Sequence, residues 1–414
     1  MTAGPAPRVP SPAAAPASGG AVGFRRVAAG PEPSGVVADG TRAAIFADIL
    51  TAGPSSRTEL ARRLGLSQST VTRAVNPLVQ TGYLVEVGFR SSGGRPQRIL
   101  AVARDRHLVV GVKLAPNGVT AVLTDLEATV IAKSRLPVAA GAGPDDVLAL
   151  ASQAVGYLLA SEERSDERLL GVGVGIGGHV DAATGRCVWS GVMGWADVDV
   201  AGPLSAALGL PVVVNNDTNA LLVAEAWFGA GRGHESLAVV TVGAGVGCGL
   251  LLKGDLFTGA TGLAGELGHI PVQADGPPCS CGNRGCVETL ASDAAVLAAV
   301  SAASGAPCTS IAEARARAQA GDAAALGAFA AMGAALGRAL ATLCNLVNPE
   351  KIVLTGEAAQ SYELFGPACR DTLAAHGFSS AAADCEVVVH RADDYMWARG
   401  AACLAIREVV QAAR

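Results

Sequence analysis

A cluster of one histidine and three cysteines has the residue types and the spacing of a metal site. His269 is followed by Cys279, Cys281 and Cys286, and Glu288 comes two residues later. One imidazole and three thiolates fill the tetrahedral shell of Zn²⁺, so the set predicts one structural zinc ion per chain, with no position open for water. A disulfide hairpin or chance clustering are the alternatives. The disulfide fits less well, because nothing marks the chain for an oxidising compartment.

Charge is distributed unevenly along the chain. The whole sequence has a net charge of −5, yet residues 1–100 contain eleven Arg, no Lys and five acidic residues. A basic first part and an acidic remainder predict a polyanionic partner for the N-terminal part alone. At 414 residues, two or three domains are expected. The sequence has neither a signal-peptide pattern nor an uninterrupted apolar run that could span a bilayer, so we expect a cytoplasmic protein without a membrane partner.

The first hundred residues divide into a tail and a small domain. Residues 1–39 are rich in Pro, Ala, Gly and Ser, and we expect a disordered tail because they have too little apolar surface to bury. Residues 40–103 predict a winged helix-turn-helix: two short helices, a turn at Gly65-Leu66, a third helix capped by Ser67, and a hairpin of strands 83–87 and 98–102. Pro77 should kink or shorten the third helix.

This small domain has side chains suited to double-stranded DNA. The third helix would present its outer face to base edges in a major groove, and the Gly-Gly-Arg-Pro wing tip could enter a minor groove. The predicted contacts are Arg57, Gln68, Ser69, Thr70, Thr72, Arg73, Asn76, Arg90 and Arg95. A three-helix protein-interaction module is the alternative, but eight Arg against three acidic residues within 40–103 favour DNA. A dimer would then bind an inverted repeat.

From residue 104 onward the pattern becomes that of an α/β protein. Apolar strands are predicted at 108–114, 119–125, 130–136, 169–176, 211–215, 236–242 and 352–354. Helices are predicted at 147–160 and 394–412, and the stretch 289–347 is almost wholly helical. The helices of 289–347 and 394–412 are candidates for a dimer contact and a lobe hinge.

The chain from residue 40 to 414 resembles the transcriptional regulators of the ROK family (repressors, open reading frames, sugar kinases). The resemblance rests on the His-Cys cluster and on Gly178-His179-Val180-Asp181, Gly194-Trp195, Asn215-Asn216-Asp217-Thr218-Asn219-Ala220 and the glycine-rich segment 241–249. It implies a two-lobed, actin-like body of the sugar kinase and Hsp70 type, the ATPase fold, behind the winged helix-turn-helix. We expect a small lobe at about 104–228 plus 395–414, and a zinc-containing large lobe at about 229–394.

The resemblance also implies a sugar site lined by Asn216, Asp217, Glu266, His269 and Glu288. Asp217 matches the family's catalytic base, and it could act as a base or only hydrogen-bond a hydroxyl. Glu266 and Glu288 could instead support the zinc loop. Two positions depart from the family: Val192 replaces a sugar-contacting Asn, and Gly178 stands where Pro is usual. A modified sugar, a sugar phosphate or no sugar therefore remain open as ligands.

The nucleotide side departs further from the family's kinases. Lys113-Leu114-Ala115-Pro116-Asn117 stands in place of an Asp-x-Gly-Gly-Thr turn, so the Asp and both glycines are lost and the proline has no amide donor. Glu357 replaces a glycine on the adenosine side. We therefore expect that ATP binding is lost and that the chain is not an enzyme. A solvated side chain is the default expectation for Lys113.

The sequence thus predicts a DNA-binding regulator, most simply a repressor of sugar-related genes, that senses a sugar-type effector. A homodimer or tetramer is expected. An active ROK sugar kinase with a DNA-binding head, and a ligand-independent DNA-binding regulator, are the alternatives. Trp189 and Trp195 are candidates for a sugar-facing wall or for core packing.

Overall fold

The computed structural model describes residues 39–90, 96–161, 169–391, 393 and 395–411. The predicted tail, apart from Asp39, lies outside the described residues, and so does Arg95 of the predicted wing. Residues 162–168 and 412–414 also lie outside them.

The N-terminal part is a winged helix-turn-helix, which we call the head. Its elements are α1 (Gly40–Ala52), β1 (Ser55–Ser56), α2 (Arg57–Leu64), α3 (Gln68–Gln80), β2 (Leu84–Arg90) and β3 (Gln97–Val102), and its sheet has the order β1-β3-β2. The prediction of this fold is confirmed. The predicted cap is also present, because the Ser67 side chain accepts a hydrogen bond from the backbone N–H of Thr70.

The third helix differs from its expectation. α3 runs through Pro77 and ends at Gln80, so the predicted shortening of the helix is wrong. Proline removes one backbone donor, but Val75 and Leu78 on the same helix are fully buried in the head. Packing on both sides of the proline holds the last turn in helical form.

The first half of the body is a mixed sheet with helices, and we call it the small lobe. Its elements are β4 (Leu108–Ala115), β5 (Gly118–Thr124), β6 (Val130–Pro137), α4 (Pro144–Ser161), β7 (Leu169–Ile176), β8 (His179–Asp181), β9 (Arg186–Ser190), β10 (Trp195–Asp199), α5 (Ala201–Leu208), β11 (Val212–Asn216) and α6 (Asp217–Phe228). The main sheet has the order β11-β7-β4-β5-β6, and β8 to β10 form a separate antiparallel sheet. Strands β4, β7 and β11 run parallel, so their carboxyl ends meet at one edge.

The second half, the large lobe, repeats this plan. It contains β12 (Leu237–Val242), β13 (Val246–Leu252), β14 (Asp255–Phe257), α7 (Glu288–Ala291), α8 (Asp293–Ser304), α9 (Ile311–Gln319), α10 (Ala323–Val347), β15 (Lys351–Thr355), α11 (Tyr362–His376) and β16 (Glu386–Val389), with the sheet order β14-β13-β12-β15-β16. Helix α10 is long and apolar enough to cross a membrane by length and composition alone. Its inner face lies in the large-lobe core beside α11.

The last helix, α12 (Met396–Gln411), returns to the small lobe and packs against its sheet and α6. Glycines permit the close approach: a β-carbon at Gly111 would lie 1.9 Å from the Ala398 carbonyl oxygen, and one at Gly173 would lie 1.8 Å from that of Ala401. Gly400 of α12 meets the α6 backbone in the same way. The helix is therefore held between the sheet and α6 with no room for an added methyl group.

The head shares a hydrophobic core with the small lobe. Phe46 and Ile49 of α1 belong to the same buried cluster as Cys403 and Ile406 of α12 and Val223 of α6. The connection between β3 and β4 is a single turn of 3₁₀ helix at Arg104–Arg106. The head and the small lobe are thus joined by packing rather than by a linker.

Candidate metal centre and ligand cleft

The four predicted metal ligands converge at one point of the large lobe. The donor atoms of His269, Cys279, Cys281 and Cys286 all lie within 4.8 Å of one another. The Cys281 and Cys286 sulfurs are 3.7 Å apart, and the Cys279 sulfur lies 3.5 Å from His269 Nδ1. Bonds of about 2.3 Å in a tetrahedron put the ligand atoms roughly 3.8 Å apart. The group can hold a metal ion, and all ten cysteines of the chain are free thiols.

The loop that carries these ligands is shaped by its own backbone. The N–H of Cys279 donates to the Asn283 carbonyl at 2.8 Å, which closes a tight turn around Cys281. Gly285 has a φ of +65°, and a β-carbon there would lie 1.7 Å from the Gln273 carbonyl oxygen. A side chain at this position would push the two sides of the loop apart, so glycine is required for the cysteines to meet.

The other nitrogen of His269 lies beside an acidic side chain of the same lobe. Its Nε2 lies 3.9 Å from a carboxylate oxygen of Glu266. Burial raises the pKa of Glu266, although His269 and His179 oppose that shift. The Glu288 carboxylate lies nearby and accepts a hydrogen bond from the Val246 N–H at 3.1 Å. The large lobe therefore presents two carboxylates and an imidazole on one side of the cleft.

Asn216 and Asp217 belong to the small lobe and lie at the carboxyl end of β11. The Asn216 side chain caps α6 by accepting from the N–H groups of Thr218 and Asn219, and its amide donates to the Gly178 carbonyl at 3.0 Å. Most of its hydrogen-bonding capacity is therefore used within the small lobe.

Lys113, at the end of β4, forms an ion pair with Asp217. The two side chains are only 16% and 14% exposed, and the Lys113 ammonium lies 5.3 Å from the ring centroid of Trp397. The default expectation of a solvated lysine is wrong. The parallel strands β4, β7 and β11 bring the two residues together, although they are far apart in sequence.

Two backbone donors of the glycine-rich turn after β12 are bonded to protein oxygens. The Gly243 N–H donates to the Gly245 carbonyl at 3.0 Å, and the Val246 N–H donates to Glu288. The Glu357 carboxylate fills the space beside the turn, because a β-carbon on Gly243 would lie 2.4 Å from one of its oxygens. Burial, with Glu357 nearby, raises the pKa of Asp293 at the same place. The surroundings of this turn are acidic, which is unfavourable for a phosphate.

A hydrogen bond joins the two lobes on this side of the cleft. The indole Nε1–H of Trp397, on α12, donates to Glu357 of the large lobe at 3.0 Å. On the opposite side, the His179 ring nitrogen Nε2 lies 2.7 Å from the Thr261 carbonyl oxygen. Neither contact was predicted from the sequence, because each joins two segments that no local motif links.

The small antiparallel sheet of β8 to β10 forms a wall beside Asn216. Trp189 is 40% exposed there, whereas Trp195 is 4% exposed and lies in the small-lobe core. Trp189 therefore remains a candidate for a sugar-facing wall, and Trp195 is a core residue. Val192 is 65% exposed at the end of the same wall.

The cysteines outside the metal cluster are buried, as expected for small apolar side chains, and burial raises the pKa of the Cys403 thiol to about 12.

On the head, the predicted DNA-contacting residues of α3 lie on its outer side. Most of these side chains are exposed and Thr70 is half-buried; the set is Gln68, Ser69, Thr70, Thr72, Arg73 and Asn76. Thr70 and Ser67 share a hydrogen bond of 2.8 Å between their hydroxyls, which directs Thr70 back toward the helix start. Base contact by these residues stays a prediction.

The arginines beside α3 are paired with acidic side chains. Arg57 lies 3.2 Å from Glu86, and Arg90 lies 3.0 Å from Glu59. Hydrogen bonding to Arg98 and Arg57 lowers the pKa of Glu86, and the backbone N–H of Ser56 lowers that of Glu59. Both acids are therefore ionised at neutral pH, and a DNA phosphate would have to compete with them for Arg57 and Arg90.

Comparison with known proteins gives two family matches. A model of the ROK family matches residues 109–408, and a helix-turn-helix domain model matches residues 37–88. The xylose repressor of Bacillus subtilis (strain 168) is 27% identical over 336 residues, which cover 81% of this chain and 86% of the repressor. The DNA-binding transcriptional dual regulator NagC of Escherichia coli (strain K12) is 31% identical over 352 residues, with 81% and 86% covered.

Solved structures of both regulators and kinases are similar to the chain. A ROK family transcriptional regulator, described as a homolog of the E. coli MLC protein, has a TM-score of 0.79 at 26% identity and covers 90% of this chain and 97% of its own. A ROK family glucokinase from Streptomyces griseus, in complex with glucose and AMPPNP, has a TM-score of 0.63 at 26% identity and covers 72% and 99%. The kinase match thus spans a smaller share of this chain than the regulator match does.

Proposed function

The chain belongs to the ROK family, and from that premise we propose that it is a DNA-binding transcriptional regulator, most simply a repressor of sugar-related genes. Relatives named for xylose and N-acetylglucosamine repression support this class. The observation that carries the proposal is a helix-turn-helix packed onto a kinase-like body in which Asp217 is paired with Lys113. We assign the head to 40–103, the small lobe to about 104–228 plus 395–414, and the large lobe to about 229–394.

We propose that the body does not transfer phosphate. A kinase base must be free to accept the proton of the attacking hydroxyl, whereas Asp217 is held by a lysine. A phosphate cradle needs free backbone donors, whereas the amides of Gly243 and Val246 already donate to protein oxygens. Glu357 adds a negative charge where the phosphates would lie. The named repressors among the relatives point the same way.

We propose that the cleft binds a sugar-type effector. Asp217, Glu266, His269 and Glu288 would supply acceptors and a donor for hydroxyls, and Asn216 would position the start of α6. Sugar rings also stack on aromatic faces, and Trp189 is the exposed candidate for that role. The effector chemistry is that of the sugars for which the relatives are named.

We propose that the His-Cys cluster holds one structural Zn²⁺. Three thiolates and an imidazole are a donor set that zinc favours, and four protein ligands leave no place for a reacting water. Bound there, zinc would hold the loop and orient His269 so that its Nε2 faces the cleft. Its role would be support for effector binding rather than catalysis.

We propose that the head binds an inverted-repeat operator as part of a homodimer or tetramer in the cytoplasm. The predicted contacts are those of α3 together with Arg57, Arg90 and Arg95. A dimer supplies two recognition helices to successive major grooves, which matches an inverted repeat by symmetry.

The test uses the full chain and duplexes that it selects from a random-sequence pool. Arg73→Ala should weaken binding to a selected duplex by about tenfold or more, and Arg370→Ala, on α11 of the large lobe, should not. D-xylose and N-acetylglucosamine are then tested by thermal shift and for their effect on DNA binding. Failure to select any duplex would refute the proposal, and phosphate transfer from magnesium-ATP to either sugar would favour the kinase alternative.

A further inference from the structure

The head moves with the small lobe, because both share one core. Buried residues of α1 pack with α12 and α6, and α12 itself has no space to slide against the sheet at Gly111 and Gly173. A signal from the cleft therefore cannot travel as a shift of α12 relative to the head. What can change is the position of the large lobe relative to this combined body.

The large lobe reaches the head through Arg232. The chain passes from α6 into β12 through residues 229–236, and Lys351 of β15 donates to the Ala230 carbonyl at 3.1 Å, which ties this segment to the large-lobe sheet. From there, the guanidinium Nε–H of Arg232 donates to the backbone carbonyl of Thr51 at the end of α1. The segment that connects the two lobes, which is also bonded to α6 through the Ala230 N–H and the Glu225 carboxylate, thus contacts the head directly.

This contact lies where α1 needs a partner. The carbonyl groups of a last helical turn have no donor within the helix, and the negative end of the helix dipole favours a cation there. The last turn of α1 has no basic residue of its own. Arg232 supplies that cation from another part of the fold, and a charged hydrogen bond is strong enough to change an equilibrium by about tenfold.

On the cleft side, the lobes are joined by the hydrogen bond from Trp397 to Glu357. Trp397 also lies beside Lys113, which holds Asp217, so a molecule that binds Asp217 disturbs the same group of side chains. The Trp397 and Arg232 contacts therefore both join the head and small lobe to segments beyond α6.

We propose that Arg232 is the positioning residue that transmits the state of the cleft to the DNA-binding head. The inference rests on the proposed function, because it assumes that the head binds DNA. One lobe position keeps the Thr51 contact and holds α1, and the other releases it. A ligand in the cleft changes the DNA affinity only to the extent that it binds one of these two arrangements more tightly than the other.

A double-mutant cycle tests this without any effector. The wild type, Arg232→Ala, Glu357→Ala and the double variant are titrated with a duplex that the wild type selects from a random-sequence pool. Coupling predicts that the effect of Arg232→Ala on Kd differs by about fivefold or more between the wild-type background and the Glu357→Ala background. Glu357→Gln keeps an acceptor for Trp397 and should behave as the wild type. Arg232→Lys keeps the cation and should restore most of the coupling.

The controls separate coupling from general damage. Arg370→Ala removes an arginine of the large lobe that lies beside Tyr362, and its effect should simply add to that of Glu357→Ala. Additive effects of Arg232→Ala and Glu357→Ala, within about twofold, would overturn the proposal. If the wild type selects no duplex, the proposed function fails first. Melting curves identify a variant that is unfolded, and Arg232→Met or Glu357→Leu, which also remove the donor or the acceptor, then replaces it in the cycle.

Discussion

The sugar end and the nucleotide end of the cleft use their polar groups in opposite ways. At the sugar end, the Glu266 carboxylate lies beside the Nε2 of His269 and stays 47% exposed. At the nucleotide end, the Lys113 ammonium lies beside Trp397, and Trp397 bonds to Glu357 across the lobes. The first end retains groups that can recognise a ligand, and the second has replaced ligand contacts with internal ones. We propose that this fold has lost phosphate transfer and kept ligand recognition.

The largest expected effect concerns the support of the sugar end. Cys286→Ser removes a buried ligand of the proposed zinc site, so the chain should lose its metal and about 4 kcal/mol or more of stability. Elemental analysis and thermal melting measure the two effects. Cys308→Ser, at another buried cysteine outside the cluster, should leave the metal content unchanged. Full zinc content in Cys286→Ser would contradict the assignment.

A smaller effect is expected at the nucleotide end. Lys113→Met keeps the length of the side chain and leaves Asp217 without its partner, which should cost about 1–3 kcal/mol, less than a fully buried pair because both groups retain some exposure. Chemical denaturation measures the change. Lys133→Met, at an exposed lysine on β6 that lies over Tyr395, is the control and should cost less. Equal losses of stability in the two variants would mean that the ion pair with Asp217 contributes no more than the exposed lysine does.

A second substitution of Lys113 tests whether this residue alone prevents phosphate transfer. Lys113→Asp restores the acid that the family's kinases have, but the glycine turn beside it is still missing and Pro116 still lacks an N–H donor. We expect no phosphate transfer from magnesium-ATP to D-xylose or N-acetylglucosamine in this variant. Turnover in a coupled assay would show that the lysine alone silences the nucleotide end.

A substitution at Val192 tests whether this residue contacts the sugar. Val192→Asn returns a hydrogen-bonding side chain to the rim of the cleft, and one such contact is worth roughly tenfold in affinity. Calorimetric titration with D-xylose and N-acetylglucosamine should show tighter binding of at least one of them than in the wild type. Val188→Asn, on β9 of the same wall, is the matched control. No gain at either sugar would place Val192 outside the contact surface.

The smallest expected effect is a null result at the nucleotide end. A ligand that binds only the folded state raises its melting temperature. Magnesium-ATP at millimolar concentration should shift the melting temperature by less than about 1 °C, whereas a bound sugar should shift it by more. A clear shift with magnesium-ATP would remove the contrast between the two ends.

Features written in short stretches of sequence were predictable. The metal ligands lie within eighteen residues, and the Ser67 cap and the Gly turn of the head follow local rules. The five strands of the main small-lobe sheet were also predictable from their apolar runs, whereas in the large-lobe sheet only β12 and β15 were predicted. The three-stranded wall of β8 to β10 was not, because its short strands carry little periodic signal.

Contacts between distant segments could not be predicted from the sequence. The Lys113–Asp217 pair depends on the order of parallel strands, which no spacing in the sequence specifies. Trp397 and Arg232 acquire their partners only when the lobes and the head are assembled. Two tryptophans of the small lobe look alike in sequence, yet one lies on the surface and the other in the core. Residue type indicated the chemistry of the site, and topology determined which groups remain available.

The position of α12 has a consequence for synthesis. This helix completes the core of the head and of the small-lobe sheet, although it follows the whole large lobe in the sequence. A nascent chain that carries the whole head still lacks the surface on which α1 packs, so the core of the head stays unfinished until the large lobe has also been translated. Chains that stop early would then be poor competitors for DNA, because they cannot form a complete head, and they would offer exposed apolar surface to proteases instead.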